Sequence, residues 1–158
     1  MSRKYIICLV TVSLIVLLDQ LTKLYVYSSM RLYESWPVVE GFFNISYVRN
    51  PGAAFGFLAH ASPIFRSIFF ALVTVLAIGL ICYYLVKSRA DQPRLVFALS
   101  LILSGALGNL IDRVRFGEVV DFIDVYWRTY HWPAFNIADS AISLGALIMA
   151  LEMLKNQE

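Results

Sequence analysis

The chain has 158 residues, of which 59% are hydrophobic and 15% charged, with a formal net charge of +2 and a mean hydropathy of +0.70. That charge content is low for a water-soluble domain of this length, and the scattered Lys and Arg residues exclude the clustered basic footprint of a nucleic-acid binder. Two cysteines and two histidines form neither a CxxC nor an HExxH pattern, so no metal or cofactor is expected.

The first apolar run covers about residues 5–27. It follows Arg3 and Lys4 and imitates a signal peptide, but no small-x-small cleavage site follows and three more apolar runs do. It is therefore expected as a retained helix. Near its end Asp19 and Lys23 stand four apart in the order that favours an intrahelical ion pair, so Asp19 reads as structural. Residues 35–49, SWPVVEGFFNISYVR, alternate in part and predict a hairpin near Glu40 and Gly41. The stretch NPGAAFGF, residues 50–57, follows. Its small residues, Gly52 and Ala53 among them, allow close backbone approach, and an ordinary turn fits them equally.

The second run, 64–86, is entered through Ser62 and Pro63, an N-cap followed by a first-turn proline. A short connection carrying Lys87, Arg89 and Arg94 leads to the third run, 95–111. There Ser104, Gly105 and Gly108 make a small-residue face suited to close helix packing. Gly105, Asn109 and Arg113 recur at i+4 and share one stripe. Asp112 abuts Arg113 and reads as already engaged. The stretch EVVDFIDV has strand-like composition, and a strand would send Asp121 and Asp124 to opposite faces, without saying which faces a site. The fourth run, 138–154, opens behind Asn136 and Asp139, which match an N-cap and a third helical position. Runs of 17 residues reach about 26 Å, short of a hydrocarbon core of about 30 Å. The third and fourth helices are thus expected to begin or end in a thinned or polar-lined region.

Basic residues in the short flanks place both termini and the middle connection in the cytoplasm. Asp19, Lys23, Arg66, Asn109, Asp112, Arg113, Asn136 and Asp139 then fall at one outer level. Ionisable groups at membrane depth are costly and face protein or a wet cavity, so this level predicts a polar site at the outer membrane surface. Outer-loop Trp36, Tyr126, Trp127, Tyr130 and Trp132 fit an aromatic belt. Asp121, Asp124 and Asp139 lack a basic neighbour in sequence. Two carboxylates brought close share a proton, and such a pair can activate water and protonate a carbonyl. No GxSxG, Cys–His or Asp-Thr/Ser-Gly signature offers a rival. The alternative is a small proton-coupled transporter or channel. It needs polar residues throughout the membrane depth, and the inner halves of the runs are nearly bare of charge.

Five blocks, DQLTK (19–23), NPGAAFGF (50–57), GALGNLIDR (105–113), GEVVDFI (117–123) and FNIADS (135–140), resemble the signature blocks of the bacterial lipoprotein signal peptidases, signal peptidase II, in order and spacing. The resemblance implies an aspartic endopeptidase of the bacterial cytoplasmic membrane that cuts the signal peptide from prolipoproteins just before a diacylglyceryl-modified cysteine. It implies Asp121 and Asp139 as the catalytic pair, and Asn50, Asn109, Arg113 and Asn136 as polar residues around the substrate. Asp19, Lys23, Gly52, Ala53, Gly105 and Gly108 fall to supporting the site. The implied fold is an all-α membrane protein, a single domain 1–158 of four transmembrane helices. It carries a small extracytoplasmic β-cradle within 31–58 and a mobile outer arm within 112–135. Expected partners are lipidated prolipoproteins and membrane lipid, with acyl chains lying in an apolar groove between helices, no nucleic acid, and a monomeric enzyme with its site at the extracytoplasmic face.

Overall fold

The computed structural model describes residues 2–52, 58 and 61–155. Four helices, α1 (Arg3–Ser29), α2 (Pro63–Lys87), α3 (Pro93–Phe116) and α4 (Ile137–Lys155), alternate with four strands, β1 (Ser35–Val39), β2 (Phe43–Asn50), β3 (Val119–Trp127) and β4 (Tyr130–His131). All four helices are long and apolar enough to cross a membrane, and the molecule is mostly helical with one small antiparallel sheet.

Helix α3 is the axis of the bundle. Its most apolar stretch is 67% buried, against 11% for α1 and α2 and 17% for α4. The other helices turn Leu14, Leu17, Leu76, Leu147 and similar side chains outward, as expected where lipid replaces water as solvent. Small residues let α4 lie close on α3. A Cβ on Gly105 would collide with the Ala138 carbonyl, and one on Gly145 would come within 2.7 Å of the Ala98 carbonyl. A Cβ on Gly108 would sit 2.6 Å from Asp19 Oδ2, on α1. On the opposite end, Lys4 Nζ donates to the Val86 and Ser88 carbonyls at 2.9 Å, tying the start of α1 to the end of α2. A cation there also complements the negative end of the α2 dipole.

The third helix is longer than its apolar run. It continues five residues past 111 to Phe116, and Gly117 ends it at φ +74° with its N–H on the Arg113 carbonyl. The helix outruns its apolar stretch because Asp112 does not end it, and the added turn is lined by polar partners. The Asp112 carboxylate is 1% exposed and lies 3.0 Å from Lys23 Nζ of α1. Arg113 is not its partner.

The sheet also departs from expectation. β1 and β2 form the foreseen hairpin around Gly41, at φ +79°. β2 then pairs antiparallel with β3, and β3 with β4. Two of the four strands thus come from 119–131, inside the segment expected as an arm, and the sheet is not confined to 31–58. The Val-, Ile- and Phe-rich β3 needs a partner for its backbone and cover for its side chains, and β2 and α1 supply both. Val120 and Phe122 join Tyr47, Val26 and Met30 in a core beneath the sheet.

One buried cation joins these parts. Lys23 Nζ is 2.9 Å from Asp19 Oδ2, 3.0 Å from Asp112 Oδ2 and 3.0 Å from Asn109 Oδ1. Lys23 is 3% exposed and Asp19 is fully buried. Removing one member of such a cluster leaves an uncompensated charge. Asp19→Asn is expected to lower the unfolding free energy by roughly 3 kcal/mol, read as thermal unfolding in detergent. An unchanged midpoint would show that Asp112 alone holds Lys23.

Candidate active site

The site is assembled from helix ends. Asn136 caps α4: its Oδ1 accepts from Asp139 N at 2.9 Å, and its own N–H donates to Asp139 Oδ2 at 3.3 Å. This reciprocal capping box fixes the Asp139 carboxylate at the mouth of the helix. Asp19 Oδ1 accepts from the Ala138 N–H at 2.9 Å, so α1 holds the residue just before Asp139. On the other side Asp112 Oδ2 accepts from the Val120 N–H at 3.1 Å, so α3 holds the residue just before Asp121. Both carboxylates of the Lys23 cluster thereby serve the ammonium and also the backbone beside a candidate acid.

Strand β3 separates its two acids as the period of two requires. Asp121 is 1% exposed, accepting from Asn50 Nδ2 at 2.9 Å and Asn136 Nδ2 at 2.6 Å. Asp124 accepts instead from Asn44 and Ser46, with His131 Nδ1 2.8 Å from its Oδ1. A β-bulge between Ile45 and Val48 changes the alternation of β2. Asn44 and Asn50, six apart on β2, consequently meet Asp124 and Asp121 on opposite sides. Without the bulge Asn50 would turn away from Asp121.

Side-chain amides connect the two acids. Asn109 Nδ2 donates to Asp139 Oδ1 at 2.7 Å, Asn109 Oδ1 accepts from Asn136 Nδ2 at 3.2 Å, and that same Nδ2 reaches Asp121. A cavity of about 490 Å³ opens at this point, lined by Asn50, Gly52, Asn109, Arg113, Asp139 and the segment Trp132 to Phe135. Asp121 is not on its lining; it sits behind Asn50. Asn136 is fully buried and touches the acids, not the cavity. Arg113 donates to the Gly52 carbonyl at 3.4 Å, and Gly52 N donates to Asn50 Oδ1 at 3.0 Å. A Cβ on Gly52 would collide with the Phe70 ring, so that backbone approach does require glycine. Ala53 lies outside the described residues. Asp124 is the one acid without a basic sequence neighbour that the fold keeps out of this network.

The electrostatics act strongly on Asp121. Burial, and next the charge of Asp139, push the Asp121 carboxyl up to about 7, against the donors Asn50 and Asn136 and the charge of Lys23. A group so placed is about half protonated at neutral pH and can give its proton to a carbonyl oxygen, while an ionised neighbour takes one from water. Among the described residues no group of three or more His, Cys, Asp and Glu side chains is arranged to hold a metal ion.

Sequence reading missed three parts. Gln20 donates to Asp19 and Asp112 at 3.1 Å, bracing the cluster; only its place inside DQLTK marked it. Ser140 and Ser143 line the cavity along α4, at i and i+3 on the helix face that follows Asn136. For Trp132 a lid was the second reading beside the aromatic belt, but the Trp132–Phe135 wall as a unit was not legible, because nothing local reveals that Phe135 pairs with Ile123.

Residues 11–155 match the family model described as "Signal peptidase (SPase) II". The chain is 56% identical to the lipoprotein signal peptidase of Syntrophus aciditrophicus over 158 residues, covering 100% of this chain and 98% of that protein. It is also 56% identical to the lipoprotein signal peptidase of Geobacter sulfurreducens over 140 residues, 89% of this chain and 86% of that one. A bacterial membrane enzyme structure solved by the in meso method at 2.3 Å resolution superposes with a TM-score of 0.85 at 36% identity, over 96% of this chain and 89% of that one. A second, at 1.9 Å resolution, gives 0.83 at 36% identity over 94% and 92%. Four membrane-spanning helices, a small sheet beside their ends and a match along nearly the whole chain agree on one conclusion: this chain is a membrane protease belonging to the signal peptidase II family.

Proposed function

We propose that the chain is an aspartic endopeptidase that removes signal peptides from diacylglyceryl-modified prolipoproteins, cutting just before the lipidated cysteine, with Asp121 and Asp139 as the catalytic pair. The observation that carries this reading is the amide-linked arrangement of two acids, Asp139 lining the cavity and Asp121 behind Asn50, with Asp121 raised to about 7. The substrate class follows the names of the relatives. Family membership is that of peptidases, so the transporter alternative is not carried forward.

In this mechanism Asp139, which lines the cavity, is ionised and accepts a proton from a water molecule as the water oxygen attacks the scissile carbonyl carbon. Asp121 gives its proton to the carbonyl oxygen. The tetrahedral intermediate collapses as the C–N bond breaks, the leaving nitrogen takes the proton from Asp139, and the hydroxyl proton returns to Asp121. Atoms and charges balance, and no covalent enzyme intermediate forms. Asn50 sits between Asp121 and the cavity, so it admits the acid when substrate replaces its hydrogen bond. Arg113, with Gly52 beside it, faces the cavity and donates to substrate carbonyls in a low-dielectric setting. A signal peptide is itself an apolar segment, and acyl chains stay in the bilayer. Both would present the bond at the headgroup level, where this site lies if the termini are cytoplasmic. The enzyme acts as a monomer in this reading, with membrane lipid around the helices.

Asp121→Asn and Asp139→Asn are each expected to lower kcat at least about 100-fold on a diacylglyceryl-modified prolipoprotein while thermal unfolding stays cooperative. Near-normal turnover by either variant removes it from the pair. The pH profile has a definite sign. The general acid must be protonated, so kcat/KM should fall as pH rises through about 7, where Asp121 ionises. A rate that is flat or rising from pH 6 to 9 contradicts that assignment.

A further inference from the structure

A polypeptide substrate is continuous on both sides of the bond to be cut. It cannot be threaded into a closed pocket end-first; it has to be laid in from the side. A wall that closes over the laid-in chain would then hold it. One wall is of a different kind from the rest. Trp132, Pro133 and Ala134 line the cavity that holds Asp139, and they also line a second cavity of about 500 Å³ on the other side, with Ser35, Asn44, Ser46 and Asp124. This short segment is all that the two cavities share, and moving it would join them into one trough.

The far end of the segment is anchored. Phe135 exchanges backbone hydrogen bonds with Ile123, and Asn136 is built into the α4 cap. The near end is held by the β3–β4 pairing and by contacts around His131. His131 Nδ1 lies 2.8 Å from Asp124 Oδ1, its ring stacks on Tyr126 at 4.9 Å with 10° between planes, and Trp132 N donates to the Val125 carbonyl at 2.9 Å. The acceptor is buried and the donor is half-exposed. Asp124 is 9% exposed, and its other oxygen accepts from Asn44 Nδ2 at 3.0 Å and Ser46 Oγ at 3.4 Å. Ser46 Oγ is in turn 2.8 Å from Ser35 Oγ. Strands β1 and β2 thus orient the carboxylate in advance, which favours a single geometry for the bond to His131. The His131 side chain itself is 51% exposed. A buried acceptor paired with a half-exposed donor is how a releasable contact is built.

We propose that the Asp124–His131 pair is a latch that positions the Trp132–Phe135 wall over the cleavage site, its role being to hold bound substrate; the proposal rests on the peptidase reading of the Asp139 cavity. Neither residue touches the reacting atoms, and both act through the wall. If the latch sets the fraction of molecules with the wall closed, its loss raises the apparent dissociation constant by that fraction and leaves the chemical step of the closed complex unchanged.

The test uses the full-length protein in detergent with a synthetic diacylglyceryl-cysteine peptide spanning the cut. His131→Ala should raise KM about tenfold with kcat within about threefold of the parent. Hydrogen exchange of peptides covering residues 126–135 should quicken about tenfold while the four helices keep their protection. His131→Asn, whose Nδ2 can occupy the place of the imidazole donor, should restore both. An unchanged KM with unchanged exchange would overturn the proposal, as would exchange rising equally in the helices, or His131→Asn failing as His131→Ala does. Exchange does not require turnover and can be repeated on Asp139→Asn protein. A wrong catalytic pair would remove the KM result alone, and a wrong latch would remove the exchange result as well.

Discussion

An ammonium group buried at the level of the membrane has to be neutralised where it stands. Lys23 is, by Asp19 and Asp112 together with the Asn109 carbonyl. An unpaired charge in that position would cost several kcal/mol, so the arrangement around it is closely prescribed. Its consequence reaches the site through two backbone N–H groups. Asp19 also holds Ala138, next to Asp139, and Asp112 also holds Val120, next to Asp121. One cation thereby sets the positions of two acids on different elements, one on α4 and one on β3. Gly108 belongs to the same constraint, because a side chain there would displace Asp19. The sequence places these residues on four separate elements, α1, α3, β3 and α4, and neutralisation of Lys23 ties them together.

Within that frame the two acids are made unequal. Asp121 is shut behind Asn50 and Asn136 and gains a proton from burial and from its neighbour's charge, whereas Asp139 lines the open cavity. Inequality of this kind divides labour between two chemically identical groups. The amides between them are oriented by what lies beyond: Asn109 by Lys23, and Asn136 by the capping box it makes with Asp139. Amides carry no charge of their own, so they link the two carboxylates without neutralising either. The bulge in β2 is part of the same construction, since it alone turns Asn50 toward Asp121.

The spans, the hairpin at Gly41 and the capping role of Asn136 were legible because each follows from residues close in sequence: apolar length, a glycine between alternating segments, and an Asn three residues before an Asp. The Asp19–Lys23 pair was legible for the same reason. Asp112 was rightly read as engaged, but its cation was not legible: Lys23 is 89 positions away in the chain, and local reasoning offered the adjacent Arg113 instead. The end of α3 was placed early on the same ground, an acid being taken as the edge of the apolar region. Strand-like composition around Asp121 was visible, but its pairing with β2 was not, because register depends on a bulge that no residue type announces. Composition left the choice between Asp121 and Asp124 open; the fold divides them by face, and resemblance had already pointed to the same one.

The account depends most on a proton shared unequally between two carboxylates. Carbon-13 NMR of the protein labelled at the aspartate carboxyls, with Asp121 and Asp139 identified by single substitution, measures this directly across a pH titration. The account predicts two separated steps for the pair, the upper near 7 and carried by Asp121. Two carboxyls titrating together near 4, the ordinary range for aspartate, would contradict it.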